Sequence, residues 1–275
     1  MTPTHKFPRG LLLVGCGRMG GALLQGCLAR GIVTADAVTV VEPAEAARAE
    51  ATTLGVRAVA DVGDAAAAAP DLILVAVKPQ VVDAVMPAYA RFAGRSVFLS
   101  IAAGRTTASF ERLLGDAAAV IRAMPNTPAQ VGRGITALYA TGRVDAGGRD
   151  LAAALMGAVG EVVWLADEAQ MDAVTAVSGS GPAYVFHLIE ALAAAARAAE
   201  LPDDLAEKLA RATVTGAAEL AFQSSEPAGR LREQVTSPGG TTAAALDVLM
   251  GEGGLTDLMT RAVAAAAKRS KELAG

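Results

Sequence analysis

Short apolar runs alternate with helical stretches up to about residue 165, and this alternation constrains the fold more than any other feature. Buried strands are predicted at 11–15, 38–41, 72–77, 97–101 and 120–124. Helices are predicted between them at 19–30, 44–54, 65–69 and 81–92. This order predicts an α/β fold with a parallel sheet covered on both faces. Runs at 135–139 and 161–165, on either side of a helix at about 145–159, are predicted to extend the sheet.

The character of the sequence changes after Asp167, where strand signals stop and alanine-rich helical stretches follow. Helices are predicted at 168–177, 182–200, 202–222, 229–235, 242–250 and 254–273. We therefore predict two domains, residues 1–166 and residues 167–275. A helical domain of this size has a thin core, so we expect a second subunit to complete its apolar faces in an obligate oligomer.

Composition and charge exclude several classes of function. Of 275 residues, 53% are hydrophobic and 19% are charged, which suits globular domains and argues against disorder. The formal net charge is -4 and no basic cluster is present, so nucleic acid is not an expected partner. Mean hydropathy is +0.40, yet the best apolar run, 173–189, is interrupted by Ser178-Gly179-Ser180-Gly181-Pro182, so no membrane span is expected.

The two cysteines, Cys16 and Cys27, have neither metal-ligand spacing nor the pattern of a disulfide framework. No metal is therefore expected, and a cytoplasmic location is expected because thiols stay reduced there. A signal peptide is not expected, since the apolar run after His5, Lys6 and Arg9 stops at Gly15.

A glycine-rich turn joins the first predicted strand to the first predicted helix. Its sequence is Gly15-Cys16-Gly17-Arg18-Met19-Gly20, in the strand–turn–helix context that a dinucleotide fingerprint requires. The first glycine permits the tight turn, the second lets a pyrophosphate approach, and the third lets helix and strand pack closely. These six residues are predicted to bind a dinucleotide, with a ligand-free glycine-rich turn as the alternative.

An acidic residue is expected about 20 residues after the fingerprint, and Glu42 closes the second predicted strand. Its carboxylate is predicted to accept hydrogen bonds from the adenosine ribose hydroxyls. It would also repel a 2′-phosphate, which favours NADH over NADPH, although Arg48 in the next helix could offset the repulsion. The alternative is a solvated acid at the end of a strand.

Three later strand ends carry residues that suit a cofactor crevice, since ligands in open α/β sheets bind beyond the carboxyl ends of the strands. Lys78 is placed to line that crevice, the small residues after the fourth strand would let a nicotinamide ring lie against the backbone, and Asn126 offers hydrogen bonds. Alternatively, Lys78 is an ordinary surface lysine and Asn126 an ordinary turn former. The predicted cofactor contacts at these ends are Ala76, Val77, Lys78, Pro79, Ala102, Ala103, Gly104 and Asn126.

Two glycine-containing loops interrupt the helical half. Thr236-Ser237-Pro238-Gly239-Gly240-Thr241-Thr242 precedes a predicted helix, and its free N–H groups beside hydroxyls suit a small anion such as a carboxylate. Ser178-Gly179-Ser180-Gly181-Pro182-Ala183-Tyr184 leaves similar backbone groups uncovered. The alternatives are a capped interhelical loop for the first segment and a close helix–helix approach for the second.

Five pieces in this order resemble the pyrroline-5-carboxylate reductase family over almost the whole chain. They are 15–20, 77–79, 122–128, 178–184 and 236–242. The resemblance implies an N-terminal Rossmann-type dinucleotide-binding domain with a C-terminal all-helical dimerisation domain. It also implies NADPH or NADH as cofactor, and a homodimer of interlocked helical domains, often assembled into a decamer.

The resemblance further implies a cyclic imino acid substrate and its site. Residues 77–79 and 102–104 would touch the nicotinamide half of the cofactor, and Thr242 would also reach the ring nitrogen and act catalytically. The substrate-binding residues implied are Ser178, Gly179, Ser180, Gly239, Gly240, Thr241 and Thr242. Two rivals remain: a related imine or β-hydroxyacid reductase, and a dinucleotide-binding regulator without turnover.

Overall fold

The computed structural model describes residues 7–65 and 68–274. It divides into two compact units: the chain up to Gly179 together with the residues from Lys268 onward, and Ser180–Ala267. The domain boundary predicted near Asp167 stays a prediction. His5, Lys6 and two residues of the helix predicted at 65–69 lie outside the described residues.

Eight strands of the described chain form one sheet in the order β3-β2-β1-β4-β5-β6-β7-β8. The first six follow the order of a Rossmann-type dinucleotide-binding fold, which confirms the predicted fold class. Neighbouring strands are parallel except β6 and β7, which are antiparallel. The five strands predicted between 11 and 124 are parallel as expected, whereas the two that extend the sheet run in the opposite direction. The bounds are β1 Leu11–Val14, β2 Val38–Val41, β3 Arg57–Val59, β4 Leu72–Val75, β5 Val97–Ser100, β6 Ala119–Met124, β7 Gly134–Ala140 and β8 Gly160–Trp164.

The central strands are apolar at every position because both sheet faces are covered. Every residue of β1 and β4 is buried. Leu11, Leu13 and Leu72 face one core cluster, whereas Leu12 and Ile73 face the other. Each such side chain contributes about 2 kcal/mol through burial, and the pair of strands therefore holds the following turns in place.

The helices of the first unit are α1 Arg18–Ala29, α2 Glu45–Thr53, α3 Val82–Val85, α4 Thr107–Leu114, α5 Ala146–Gly157 and α6 Met171–Val174. The helix predicted at 81–92 is instead a short α3 followed by a 3₁₀ helix at Met86–Phe92, because Pro87 lacks the N–H that a continuing helix needs. The helix predicted at 168–177 begins as a 3₁₀ turn and ends in a π-helix at Thr175–Gly179.

The second unit is all helical. Small buried residues at Ala193, Ala206 and Ala210 let its first two helices pack closely. No helix of the described residues is both long and apolar enough to cross a membrane. The helices of the second unit are α7 Gly181–Ala198, α8 Asp203–Gln223, α9 Ala228–Gln234, α10 Thr241–Met250 and α11 Leu255–Ala274. The residues of α11 from Lys268 onward are grouped with the first unit.

Candidate functional site

A cavity of about 550 Å³ lies at the carboxyl ends of the first strands. It brings together several predicted cofactor residues, and Asp61 and Tyr89 also line it. The predicted residues among its lining are Gly15, Gly17, Glu42, Ala76, Val77 and Lys78. Cys16 and Arg18 line a neighbouring cavity of about 660 Å³ on the other side of Gly17.

The three fingerprint glycines have separable roles. Gly15 has φ +87, a conformation that side chains disfavour, and a Cβ on Gly20 would lie 2.6 Å from the Gly15 carbonyl oxygen. A Cβ on Gly17 would meet nothing within 4 Å. Gly15 and Gly20 therefore serve the fold, whereas Gly17 keeps space open.

The amino end of α1 fits a phosphate group. Gly17 occupies the N-cap position, and no side chain caps the helix. The free N–H groups of the first turn and the positive end of the helix dipole favour an anion there. Together with the open space at Gly17, this arrangement fits the pyrophosphate of a dinucleotide.

Glu42 is fixed by the backbone around it. One carboxylate oxygen accepts a hydrogen bond from the Cys16 N–H at 2.8 Å, and the other accepts one from the Ala44 N–H at 2.9 Å. The Arg48 guanidinium donates to the carbonyl oxygens of Glu42 and Pro43. Glu42 thus lines the cavity and also secures the glycine-rich turn, and Arg48 is engaged by the backbone. The bond from Glu42 to a ribose stays a prediction.

Both cysteines are free thiols. Burial, followed by the nearby Glu42 and Glu50 carboxylates, raises the pKa of the Cys16 thiol. Burial raises the pKa of Cys27 to about 12, and its Sγ donates to the Leu155 carbonyl oxygen at 3.4 Å. Both groups are therefore protonated at neutral pH and make weak nucleophiles.

The loops after β4 and β5 lie at the same edge of the sheet. Lys78 occupies the N-cap position of the 3₁₀ turn that begins at Pro79, and its side chain makes no capping bond. After β5, Ala102 is buried, and its N–H donates to the Ser100 hydroxyl at 3.2 Å. Gly104 has φ +72. The small residues 102–104 thus form a fixed, low-profile turn, and their contact with a nicotinamide ring stays a prediction.

Asn126 and Ser178, predicted for different ligands, are in contact. The Asn126 amide nitrogen donates to the Ser178 carbonyl oxygen at 3.2 Å, and its amide oxygen accepts from the Ile135 N–H at 2.9 Å. A Cβ on Gly179 would lie 2.5 Å from the Met124 methyl group. Asn126 and Gly179 therefore hold the π-helix against the ends of β6 and β7.

The predicted carboxylate loop belongs to the second unit. Gly239 has φ +69 and forms a turn in which the Gly240 N–H donates to the Ser237 carbonyl oxygen at 3.0 Å. Gly240 is the N-cap of α10, and no side chain caps that helix. Thr241 and Thr242 thus begin a ten-residue helix whose first N–H groups have no capping side chain. In this unit, Ser180 precedes α7 and likewise makes no capping bond.

The sequence analysis did not predict a charged cluster that lies within the first unit. Glu168 pairs with Arg122 of β6 at 3.0 Å and also accepts hydrogen bonds from Thr107 of α4. The available signal was Arg122 itself, because a charge inside an apolar strand needs a buried partner. Within the described ranges, no group of three His, Cys, Asp or Glu side chains is placed to hold a metal.

Two family models match the chain. Residues 168–273 match the model described as pyrroline-5-carboxylate reductase dimerisation, and residues 11–104 match the one described as NADP oxidoreductase, coenzyme F420-dependent. A pyrroline-5-carboxylate reductase of Pseudomonas aeruginosa is 40% identical, with 96% of each chain covered.

Solved structures agree with this similarity. A pyrroline-5-carboxylate reductase of Coxiella burnetii is 36% identical, with a TM-score of 0.90 over 96% of this chain and 98% of the other. A Plasmodium falciparum pyrroline carboxylate reductase with NADP bound is 27% identical, with a TM-score of 0.81 over 98% and 99%. The similarity therefore extends over both units.

Proposed function

The chain belongs to the pyrroline-5-carboxylate reductase family, and from this premise we propose the reaction that it catalyses. It is an NAD(P)H-dependent oxidoreductase that reduces the C=N bond of 1-pyrroline-5-carboxylate to give L-proline, the last step of proline biosynthesis. One observation carries this proposal: a relative of that name matches 96% of the chain at 40% identity.

The cofactor, when bound, supplies a hydride from C4 of its nicotinamide to the imine carbon. The chain's own residues hold and orient the reactants. Gly17 admits the pyrophosphate, and Glu42 lines the cavity for the adenosine half. Lys78 lines the same cavity and, with the rest of 77–79, contacts the nicotinamide half. Residues 102–104 lie against the nicotinamide. The chain thereby provides proximity, which alone can lower a barrier by several kcal/mol.

The substrate carboxylate binds at the amino end of α10. Backbone N–H groups of the first turn donate to it, helped by the helix dipole and by Gly240 at the N-cap. The Thr242 hydroxyl faces the ring nitrogen and steers it or relays its proton through water. Ser178, Gly179 and Ser180 are further residues proposed to bind the substrate.

This chemistry needs no histidine base, because a protonated imine is already electrophilic. His187, the one histidine within the described residues, is 80% exposed and bonds to Glu190 at 3.1 Å. A β-hydroxyacid reductase is expected to carry a catalytic lysine in its long helix, and α7 has none.

The proposal is tested by NADH and NADPH oxidation in the presence of pyrroline-5-carboxylate, with the carbonyl (oxidised) form of a β-hydroxyacid as comparison. Oxidation that depends on the imine supports it. Oxidation with the carbonyl compound alone favours a β-hydroxyacid reductase. Tight cofactor binding without turnover of either substrate favours a dinucleotide-binding regulator.

Glu42 is proposed to make the chain prefer NADH, since its fixed carboxylate and Asp61 both line the cavity that would receive a 2′-phosphate. We expect Glu42→Gln to raise the ratio of NADPH to NADH kcat/KM by about 10-fold, because a like charge is removed. The matched control is Glu45→Gln, which removes the same charge from an exposed position of α2. An equal change in both variants would contradict the role of Glu42.

The dimerisation match supports a homo-oligomer, and we propose that it is a homodimer through the helical unit. The exposed Leu205, Leu209 and Leu220 follow one another on a single face of α8, beside the face that buries Ala206 and Ala210 against α7. An apolar stripe of this kind marks a protein interface. The decamer and the cytoplasmic location stay predictions.

We expect Leu209→Glu to shift the protein toward monomer, because a charge cannot be buried without a partner. Size-exclusion chromatography with light scattering measures the change. Lys208→Glu, one residue earlier and on the flank of the stripe, is the control and should leave the mass unaltered. A wild-type protein that already runs as a monomer would contradict the dimer.

A further inference from the structure

The Glu168 carboxylate holds together three segments that are distant in sequence. Oε1 accepts from the Thr107 N–H at 2.9 Å and from Arg122 Nη1 at 3.0 Å, and Oε2 accepts from the Thr107 hydroxyl at 2.6 Å. Arg122 is 7% exposed and Thr107 5% exposed. We call these three residues the Glu168 clamp. Its charge-assisted hydrogen bonds are strong, and removing one partner would leave a buried charge without a counterion.

The clamp closes one end of the turn that contains residues 102–104. Thr107 is the first residue of α4. The Thr106 side chain caps the Ser109 N–H, and Glu168 accepts the hydrogen bond of the Thr107 N–H, which has no partner within the helix. The other end of the turn is fixed where the Ile101 N–H donates to the Val75 carbonyl oxygen at 3.0 Å. Arg105 also pairs with Asp83 at 3.0 Å. The turn is therefore anchored on both sides.

Two residues of the clamp come from other parts of the sheet: Arg122 lies in β6, next to the strand that precedes the turn, and Glu168 follows β8, the edge strand. Arg122 of β6 lies opposite Ser100 of β5, the strand that leads into the turn. Glu168 follows β8 and is the first residue of the segment that matches the dimerisation model. Removing the clamp would loosen the end of the turn at α4, while the bond from Ile101 to Val75 and both hydrophobic cores remain.

We propose that Glu168 and Arg122 are positioning residues for hydride transfer, which act through Thr107 to hold residues 102–104 where the nicotinamide ring lies. This inference rests on the proposed function, because that function places the ring against the turn. A ring that shifts by about 1 Å can lose about 100-fold in rate, although most of the binding contacts remain.

A second ion pair of the same unit provides a matched control. Arg9 Nε pairs with Asp71 Oδ1 at 2.7 Å, and the Arg9 N–H donates to Asp71 Oδ2 at 2.6 Å. Asp71 is 7% exposed and precedes β4, at the amino end of the sheet. Asp71→Ala therefore removes a comparable buried carboxylate far from the carboxyl-end loops.

The experiment compares Glu168→Ala, Asp71→Ala and wild type in the full-length protein. Hydrogen–deuterium exchange of the amides at 101–107, measured without cofactor, should be faster in Glu168→Ala alone. We expect kcat to fall by at least about 10-fold in Glu168→Ala, with KM for the imine and Kd for NADH within about threefold. Asp71→Ala should retain the wild-type kcat.

Thr107→Val keeps the shape of the side chain and removes only its hydroxyl bond, so it serves if Glu168→Ala fails to fold. It should show the same changes in exchange and kcat, in smaller measure. Exchange at 101–107 that is unchanged in both clamp variants, or an equal loss of kcat in Asp71→Ala, would overturn the inference. An inactive wild type would instead contradict the proposed function, and the exchange result would still decide whether the clamp holds the turn.

Discussion

Gly17→Ala is expected to weaken NADH and NADPH binding by at least about 100-fold, or about 3 kcal/mol. The new Cβ would meet no protein atom within 4 Å, so it would project into the space proposed for the pyrophosphate. Gly17 has φ -71, which alanine adopts readily. Stability should change by only about 1 kcal/mol, the cost of alanine at an N-cap.

Isothermal titration with each cofactor measures this loss, and thermal unfolding measures stability. Gly21→Ala is the matched control, because Gly21 lies in the same helix and its Cβ would be 4.0 Å from the Cys16 carbonyl oxygen. That variant should bind as wild type does. Wild-type affinity in Gly17→Ala would show that the pyrophosphate does not approach this turn.

Thr242→Ala should lower kcat/KM for the imine by about 100-fold and leave the Kd for NADH unchanged. The reason is that Thr242 is proposed to place a single preorganised hydroxyl at the ring nitrogen, and losing one such donor typically costs 100-fold or more. Steady-state kinetics and a cofactor titration measure the two quantities. Thr242→Ser, which keeps the hydroxyl, should restore most of the activity.

The position of Thr242 means that its replacement by alanine should change the hydroxyl without disturbing the fold. It lies in the first turn of α10, and alanine is a favourable helix residue there. Cofactor residues lie in the other unit, so the binding of NADH provides an independent check on folding. Unchanged turnover in Thr242→Ala would remove Thr242 from the mechanism and leave the backbone N–H groups as the proposed site.

The strands could be predicted where burial on both faces demands continuous apolar residues, as in β1 and β4. By contrast, β3 has three residues and begins with Arg57, so it carries almost no apolar signal. α4 is only eight residues long. The Thr106 cap and the buried Phe110 and Leu114 are local signals for it, whereas its bond to Glu168 joins segments that are distant in sequence.

The antiparallel pairing of β6 and β7 could have been predicted from chain length. The connection between Met124 and Gly134 is shorter than the dozen or so residues that a parallel crossover requires. Local pattern alone predicted both strands, but their direction depends on that connection.

In the candidate site, too, some residues could be placed from the sequence, whereas their contacts depend on the folded chain. The fingerprint glycines and Lys78 could be placed from sequence, because the carboxyl ends of adjacent parallel strands meet at one edge. The bonds from Glu42 to Cys16 and Ala44 could not, since they depend on how the turn folds back over β2. Likewise, the contact between Asn126 and Ser178 joins segments that only the folded chain brings together.

The reaction proposed for this chain is the transfer of a hydride from a nicotinamide cofactor to the imine carbon of pyrroline-5-carboxylate. The purified protein is incubated with the imine and with NADH that carries deuterium at both C4 positions, and the product is analysed by mass spectrometry of the intact molecule and its fragments. We expect L-proline that carries one deuterium at the former imine carbon. Unlabelled proline, or cofactor oxidation without proline, would contradict it.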